Sequence, residues 1–182
     1  MPQARIEVRI AGLGGQGVVL AGTILGYAAI LSGKRATQIQ SYGAEARGTL
    51  AWSDVIISDQ PITYPLTTSC DYLVAMSQQA LDANMGRLKE GGVLLVDEDL
   101  VRNVPSGGFK VYKVPATRIA EELAGRTAAN MVLLGFLARL IEGLRLKAFE
   151  DAIAEEAKDV ELNLKAFNVG VSLADKAGLK RL

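Results

Sequence analysis

Residues 5–33 read RIEVRIAGLGGQGVVLAGTILGYAAILSG and combine two hydrophobic periods around a cluster of glycines. In residues 5–11, apolar Ile and Val alternate with charged side chains, which is the period of a β-strand. Residues 18–33 are apolar on almost every side for about four turns, and a helix of that kind is usually buried. The order of strand, glycine turn and buried helix predicts the first unit of an α/β sheet, and Gly33 is placed to end the helix.

The same alternation of strands and helices continues along the chain. Further strands are predicted over residues 36–41, 50–58, 71–76, 93–97 and 110–114. Helices are predicted over residues 78–88 and 116–124, followed without further strands by residues 130–142, 151–158 and 160–176. Strands that alternate with helices form a mainly parallel sheet covered on both faces. We therefore predict one domain, residues 1–182, with a three-layer, Rossmann-like α/β fold closed by C-terminal helices.

Composition excludes several classes of protein. The chain has 182 residues, 49% of them hydrophobic, with 20 basic and 20 acidic side chains. A formal charge of zero leaves no electrostatic basis for nucleic acid as a partner. Histidine is absent and Cys70 is the single cysteine, which excludes a self-contained iron–sulfur cluster or cysteine-rich zinc site. A neutral, apolar chain tends to associate, which predicts an obligate partner and allows a homodimer of the isolated chain.

One apolar stretch has the length of a membrane span. Residues 10–33 carry no charge, and this length could cross a bilayer. Their seven glycines, several clustered at one end, suit a turn better than a lipid-facing helix. Residues 1–10 show no pattern of a secretory signal, and a lone cysteine fits a reducing compartment. We predict a cytoplasmic protein with no membrane segment.

The glycines between the first strand and helix are the first candidate site. Glycine permits positive φ and close approach of backbone N–H groups to an anion, and a helix N-terminus adds roughly half a positive charge. We predict a cofactor-binding turn that accepts a phosphate, formed by Gly12, Gly14, Gly15, Gln16 and Gly17. The alternative, which the residues leave open, is that the glycines only allow tight packing of strand and helix.

The glycine pattern G-x-G-x-x-G also occurs in dinucleotide-binding proteins, in which an acid at the end of the second strand binds the ribose. Here the predicted second strand ends in Gln40 and Ser41, and the next acid, Glu45, lies inside the following loop. No histidine is present, and no tyrosine is followed by lysine four places on. A free-standing nicotinamide-dependent reductase therefore stays as an alternative, beside a scaffold subunit with no ligand.

The loop after the predicted second strand is the next candidate site. Residues 42–49 read YGAEARGT and place Tyr42, Glu45 and Arg47 on a glycine-rich turn. An aromatic, an acid and an arginine held together suit recognition of a carboxylate, a phosphate or a partner chain. In a doubly wound sheet this loop lies beside the glycine turn. The alternative is a surface ion pair between Glu45 and Arg47.

Other residues give weaker signals. Three acids after a buried strand could hold a metal ion, although a solvated turn is the preferred interpretation: Asp97, Glu98 and Asp99. Cys70 is predicted to be a small core residue. Ser77 is predicted to cap a helix, with the amide of Gln78 exposed behind it.

Seven blocks of the sequence, in order, resemble one family closely. They are GLGGQGVVLAG (12–22), SYGAEARG (41–48), ISDQPITYP (57–65), LVAMSQQAL (73–81), GGVLLVD (91–97), ANMVLLG (129–135) and LNLKAFNVG (162–170). Together they look like the gamma subunit of 2-oxoacid:ferredoxin oxidoreductases, and they cover nearly the whole chain. The combination of SYGAEARG with AMSQQAL is most similar to the 2-oxoglutarate branch.

The resemblance implies a function for the assembled complex. Such complexes, which belong to anaerobic metabolism, convert a 2-oxoacid and coenzyme A to an acyl-CoA and carbon dioxide while reducing ferredoxin. The implied cofactors are thiamine diphosphate, magnesium and iron–sulfur clusters, carried by other subunits, which are then the partners of this chain. The gamma chain itself is implied to hold no catalytic residue and no metal, and to be inactive alone. Its glycine and YGAEARG loops would contact coenzyme A or the thiamine-binding subunit.

Overall fold

The structure, a computed structural model, describes residues 5–41, 48–123 and 126–179. In these residues strands and helices are interspersed over the first two thirds of the chain, and helices follow. The strands are β1 (Arg5–Leu13), β2 (Arg35–Gln40), β3 (Leu50–Ser58), β4 (Cys70–Ala75), β5 (Leu88–Asp97) and β6 (Lys110–Val114). The helices are α1 (Val18–Leu31), α2 (Gln78–Asn84), α3 (Ala116–Glu122), α4 (Ala129–Leu140), α5 (Leu146–Glu156) and α6 (Val160–Ala174).

The six strands form one sheet in the order β2-β3-β1-β4-β5-β6. Strand β3 runs antiparallel to both of its neighbours, whereas β1, β4, β5 and β6 pair in parallel. The α/β class is thus confirmed, and the sheet is mainly parallel as predicted, although it is a mixed sheet because β3 alone is reversed. The physical reason is the connection from β2 to β3: it contains too few residues for the crossover that parallel strands need.

The two faces of the sheet are covered unequally. Helix α1 packs on β2 and β3, and the helices after β6 join it in the larger hydrophobic core. The opposite face carries α2 and a smaller cluster that includes Cys70, Leu81 and Val101. The predicted layers on both faces are therefore present, but one of them is a single short helix and the irregular chain after β5.

Several predicted ends of elements shift for local reasons. Helix α1 ends two residues before Gly33, which has φ 85° and turns the chain as predicted. Helix α2 is shorter than predicted because a 3-10 turn follows Asn84, and β5 begins at Leu88 rather than at residue 93. Helix α5 begins at Leu146 rather than at residue 151, because Phe149 is fully buried.

Residues 10–33, whose length could span a bilayer, are divided among β1, the glycine turn and α1. Helix α1 has 14 residues, fewer than the roughly 20 that a spanning helix needs. Among the residues described, no helix is long and apolar enough to cross a membrane.

Helices α4 and α6 cross with their backbones in contact. A Cβ atom built on Gly135 would overlap the carbonyl oxygen of Phe167, and one on Gly170 would overlap that of Val132. Beside the crossing, the rings of Phe149 and Phe167 stack with centroids 5.4 Å apart. The two glycines are required by this close approach, because backbone atoms cannot move aside as the end of a flexible side chain can.

This crossing predicts that Gly135→Ala destabilises the chain although alanine favours helices. Overpacking should lower the free energy of unfolding by about 1–3 kcal/mol, measured by urea denaturation of the isolated chain. Gly86→Ala is the matched control, because a Cβ there meets nothing within 4 Å; we expect a change within about 0.5 kcal/mol. Equal stability of the two variants would contradict the packing described for α4 and α6.

Candidate functional site

The glycine turn, residues 12–17, lies at the carboxyl end of β1 and leads into α1. Gly15 and Gly17 have φ of 94° and 72°, values that side chains with a Cβ rarely adopt. The N–H of Gln16 donates to the carbonyl of Leu13 at 3.1 Å and closes the turn. Glycine is therefore required at two of the predicted positions by the backbone itself.

The glycine turn is held from β3 by a backbone hydrogen bond. The N–H of Gly14 donates to the carbonyl of Thr49 at 2.7 Å, just before β3 pairs Leu50 with Leu13. The N–H of Gly14 is therefore occupied within the chain. By contrast, Gly15 is exposed, and its N–H makes no hydrogen bond to another described residue. The outward donors of the turn are thus expected at Gly15 and at the start of α1.

Gln16 supports the glycine turn from inside. Its side-chain oxygen accepts from the N–H of Leu13 at 2.7 Å, and its amide nitrogen donates to the carbonyl of Met76 at 3.0 Å. Gly12 makes room for this side chain, since a Cβ there would lie 2.7 Å from the Gln16 oxygen and 2.8 Å from a methyl of Val18. Both predicted residues thus shape the turn from within.

A residue that the sequence analysis missed completes the turn. Asn130, in the first turn of α4, is 3% exposed and donates from Nδ2 to the carbonyl of Gly17 at 3.0 Å. Its Oδ1 accepts from the N–H of Met131 at 2.9 Å. The available signal was weak: one polar residue near the start of an apolar helix, 113 positions away from its partner.

The charged loop predicted beside the glycine turn is bounded by described residues but is not itself among them. Tyr42, Glu45 and Arg47 lie outside the described residues. The chain leaves β2 at Ser41, whose N–H donates to the carbonyl of Trp52 at 3.0 Å. It returns immediately before β3, at the end of the sheet that carries the glycine turn. The roles of the three side chains stay predictions.

The position of β3 argues against dinucleotide binding in the usual manner. In that fold the acid that binds ribose stands on the strand next to the glycine turn. Here β3 lies between β1 and β2, so the end of β2 is two strands away, roughly 10 Å. Gln38 on β2 is engaged in donating to Ser53 Oγ at 2.9 Å and to the carbonyl of Val19 at 3.1 Å.

A buried ion pair lies on the α2 face of the sheet. Arg9 and Asp54, 3% and 5% exposed, face each other across β1 and β3 in two hydrogen bonds of 2.6 Å. Asn84 accepts a third bond from the guanidinium at 2.8 Å, and the ring of Trp52 lies 4.4 Å from its carbon. Thr67 donates to the same carboxylate at 2.6 Å. Every contact is internal, so the cluster is structural.

A turn over residues 98–100 follows β5, as preferred from the sequence, but Asp97 before it is buried rather than solvated and contacts the first turn of α3. Asp97 is fully buried and accepts from Thr117 Oγ1 at 2.5 Å and from the N–H of Asp99 at 3.1 Å. Burial raises the pKa of the Asp97 carboxyl, and the hydrogen bond from Thr117 opposes that shift. Within residues 5–41, 48–123 and 126–179, no group of three potential ligands could hold a metal ion.

Three further predictions concern the α2 face. Cys70 is a core residue, as predicted, and burial raises the pKa of its thiol to about 12. Ser77 caps α2 by accepting from the N–H of Ala80 at 3.1 Å, also as predicted. Gln78 differs: its side-chain oxygen accepts from the N–H groups of Arg102 and Asn103, both at 2.9 Å, so it fastens the chain after β5.

Backbone amides, two buried or half-buried amide side chains and a helix N-terminus make up the described part of the site. These groups are chemically suited to an anion or to a partner backbone, and the fold that carries them is an α/β domain. Residues 7–173 match the family described as pyruvate ferredoxin/flavodoxin oxidoreductase. The chain belongs to this family, and the resemblance stated from its motifs is confirmed.

Individual relatives are similar along nearly the whole chain. The 2-oxoglutarate synthase subunit KorC of Methanocaldococcus jannaschii is 48% identical over 176 residues, which is 93% of this chain and 94% of the relative. A keto/oxoacid ferredoxin oxidoreductase gamma subunit from Geobacter sulfurreducens is 42% identical in sequence, and the match covers 94% of this chain and 99% of that one. Its crystal structure superposes on this chain with a TM-score of 0.83.

A third structure shows the fold within a longer polypeptide. The 2-oxoglutarate:ferredoxin oxidoreductase from Magnetococcus marinus, with 2-oxoglutarate, coenzyme A and succinyl-CoA bound, gives a TM-score of 0.85. At 23% identity it covers 96% of this chain but 32% of that chain. The same fold can therefore form one part of a longer polypeptide.

The buried ion pair leads to a prediction about stability. Asp54→Ala should lower the free energy of unfolding by about 3–5 kcal/mol, because it leaves the guanidinium of Arg9 buried without its counter-charge. Urea denaturation of the isolated chain measures the change. Lys147→Ala removes an exposed pair with Asp151 and should leave the denaturation midpoint unchanged. A small effect of Asp54→Ala would mean that water reaches Arg9.

Proposed function

We propose that this chain is the gamma subunit of a multisubunit 2-oxoglutarate:ferredoxin oxidoreductase. The carrying observation is the 48% identity, over nearly the full length of both chains, to a protein named 2-oxoglutarate synthase subunit KorC. The ketoisovalerate oxidoreductase subunit VorA of Methanothermobacter marburgensis is 35% identical, and this chain covers 37% of it. The higher identity and the matching length favour 2-oxoglutarate as the substrate of the complex.

The complex then converts 2-oxoglutarate and coenzyme A to succinyl-CoA and carbon dioxide, and the two electrons released reduce ferredoxin. Thiamine diphosphate with magnesium supplies the carbon chemistry, and iron–sulfur clusters carry the electrons. The donor set of this chain does not fit those groups: Cys70 is one buried thiol, and the described residues contain no cluster of acids for a metal. We assign them to the thiamine-binding and iron–sulfur subunits.

We assign coenzyme A binding, shared with a partner subunit, to the glycine turn. Coenzyme A carries phosphate groups, and exposed N–H groups at a helix N-terminus suit phosphate oxygens. Gly15 is exposed and has open space around its Cα, whereas the supports of the turn are hydrogen-bonded within the chain. The turn would bind and orient coenzyme A without moving a proton. Tyr42, Glu45 and Arg47 are proposed to face the same ligand or the thiamine-binding subunit.

The first test is reconstitution. The isolated chain, mixed with 2-oxoglutarate, coenzyme A, thiamine diphosphate, magnesium and ferredoxin, should reduce no ferredoxin because it holds none of the reactive groups. Adding the purified partner subunits should restore reduction, followed by the absorbance of ferredoxin. Turnover by the isolated chain, or full turnover by the partners without it, would contradict the proposed function.

The second test concerns the glycine turn. Gly15→Val adds a branched side chain where nothing in the described chain lies within 4 Å, so a loss of binding reports on an outside ligand. We expect the KM for coenzyme A in the assembled complex to rise at least tenfold, with the KM for 2-oxoglutarate within twofold.

Gly33→Val is the matched control for this variant. Gly33 also has a positive φ and open space, but it lies at the other end of α1. Both variants therefore place a side chain at a positive φ, 94° at Gly15 and 85° at Gly33, and only Gly15 lies at the proposed site. Equal KM values for coenzyme A in the two variants would remove the glycine turn from the coenzyme A site.

A further inference from the structure

We propose that Asn130 is a positioning residue for coenzyme A: its buried amide fixes the peptide that joins the glycine turn to α1. The proposal rests on the function proposed above, in which the glycine turn binds coenzyme A. Asn130 itself touches no ligand. It acts through Gly17, from a helix far along the chain.

The contact between Asn130 and Gly17 is close and specific. Nδ2 of Asn130 lies 3.0 Å from the carbonyl oxygen of Gly17, and a Cβ on Gly17 would overlap that same nitrogen. Glycine is therefore required at position 17 twice, by its φ of 72° and by the asparagine packed against it. The side chain of Asn130 is 3% exposed, so water does not compete for the bond.

This contact fixes the direction of one peptide plane. The carbonyl of Gly17 also accepts from the N–H of Ala21 at 3.0 Å, the first helical bond of α1. With two donors on one oxygen, the plane that joins Gly17 to Val18 has a defined orientation. Because the peptide unit is planar, the N–H of Val18 must point opposite to that carbonyl. Asn130 thereby sets the direction of the first N–H of the helix.

Asn130 is itself held firmly. Its Oδ1 accepts from the N–H of Met131 at 2.9 Å, which fixes the side-chain amide with its nitrogen toward Gly17. Helix α4, which carries Asn130, is seated on α6 through the backbone contact at Gly135. A rigid support is what a binding turn needs, since small displacements of donors weaken binding of an anion.

The test uses Asn130→Leu in the assembled complex. Leucine has the same branched arrangement of side-chain heavy atoms and a higher helix propensity, but it cannot donate to Gly17. We expect the KM for coenzyme A to rise at least fivefold, with kcat and the KM for 2-oxoglutarate within twofold. Calorimetric binding of coenzyme A to the complex without 2-oxoglutarate should weaken by the same factor. A merely structural role would change both KM values together or neither, and either outcome would overturn the proposal.

Asn84→Ala is the control for loss of a buried asparagine. Its amide also donates to a backbone carbonyl, that of Ala80 at 2.8 Å, but it lies beside Arg9 rather than at the turn. We expect both KM values within twofold of the wild type. A rise in the KM for coenzyme A equal to that of Asn130→Leu would show a general effect of instability and overturn the proposal.

A second measurement needs neither activity nor assembly. Hydrogen exchange of a peptide covering residues 12–20 in the isolated chain should quicken at least fivefold in Asn130→Leu and in the milder Asn130→Ser, but not in Asn84→Ala. Unchanged exchange in both Asn130 variants would overturn the positioning role. Gly15→Val could leave coenzyme A binding unchanged while exchange of residues 12–20 quickens in the Asn130 variants. In that case coenzyme A is not the ligand of the glycine turn, but Asn130 does support the turn.

Discussion

The pairing of β1 with β3 is the constraint on which the rest of the molecule depends. The two strands run antiparallel without a break, from Arg5 opposite Ser58 to Leu13 opposite Leu50. One end of this ladder brings the carbonyl of Thr49 to the glycine turn. Its middle places an arginine opposite an aspartate on the buried face. Because β3 lies between β1 and β2, the end of β2 is not next to the glycine turn. In a dinucleotide-binding fold the second strand is next to that turn and supplies the acid that binds ribose.

Sequence periodicity predicted the elements well where one physical effect dominates. Strands β3 and β6 have the predicted bounds, because the apolar run of β3 ends at Ser58 and β6 ends at Val114 just before Pro115. Alternation in β1 also assigned Arg9 correctly to the face opposite the isoleucines, but it could not reveal that α2 covers that face. A buried charge needs a counter-charge, which for Arg9 is Asp54 on β3. The sequence did not indicate that β3 runs antiparallel to β1, so this pairing could not be predicted.

The backbone of the glycine turn could be predicted from the sequence, but the side chains that hold the turn in place could not. Glycines before a buried helix predict a tight turn, and Gly15 and Gly17 adopt the positive φ that such a turn requires. Gln16 was predicted as part of the cofactor-binding turn, and its side chain is directed inward, where it donates to the carbonyl of Met76. Asn130 could not be found by spacing, because its bond to the turn depends on how α4 settles on the sheet, which is a property of the whole core.

The glycine crossing of α4 and α6 has a mechanical consequence. Helices separated by a layer of side chains can shift past each other as rotamers readjust. Gly135 and Gly170 remove that layer, so these two helices behave as a stiff unit whose parts cannot slip. A neighbouring polypeptide that pushes on the outer side of α6 would therefore displace α4 as well. Part of that movement would reach Gly17 through its hydrogen bond with the amide of Asn130, so α6 is coupled mechanically to the glycine turn.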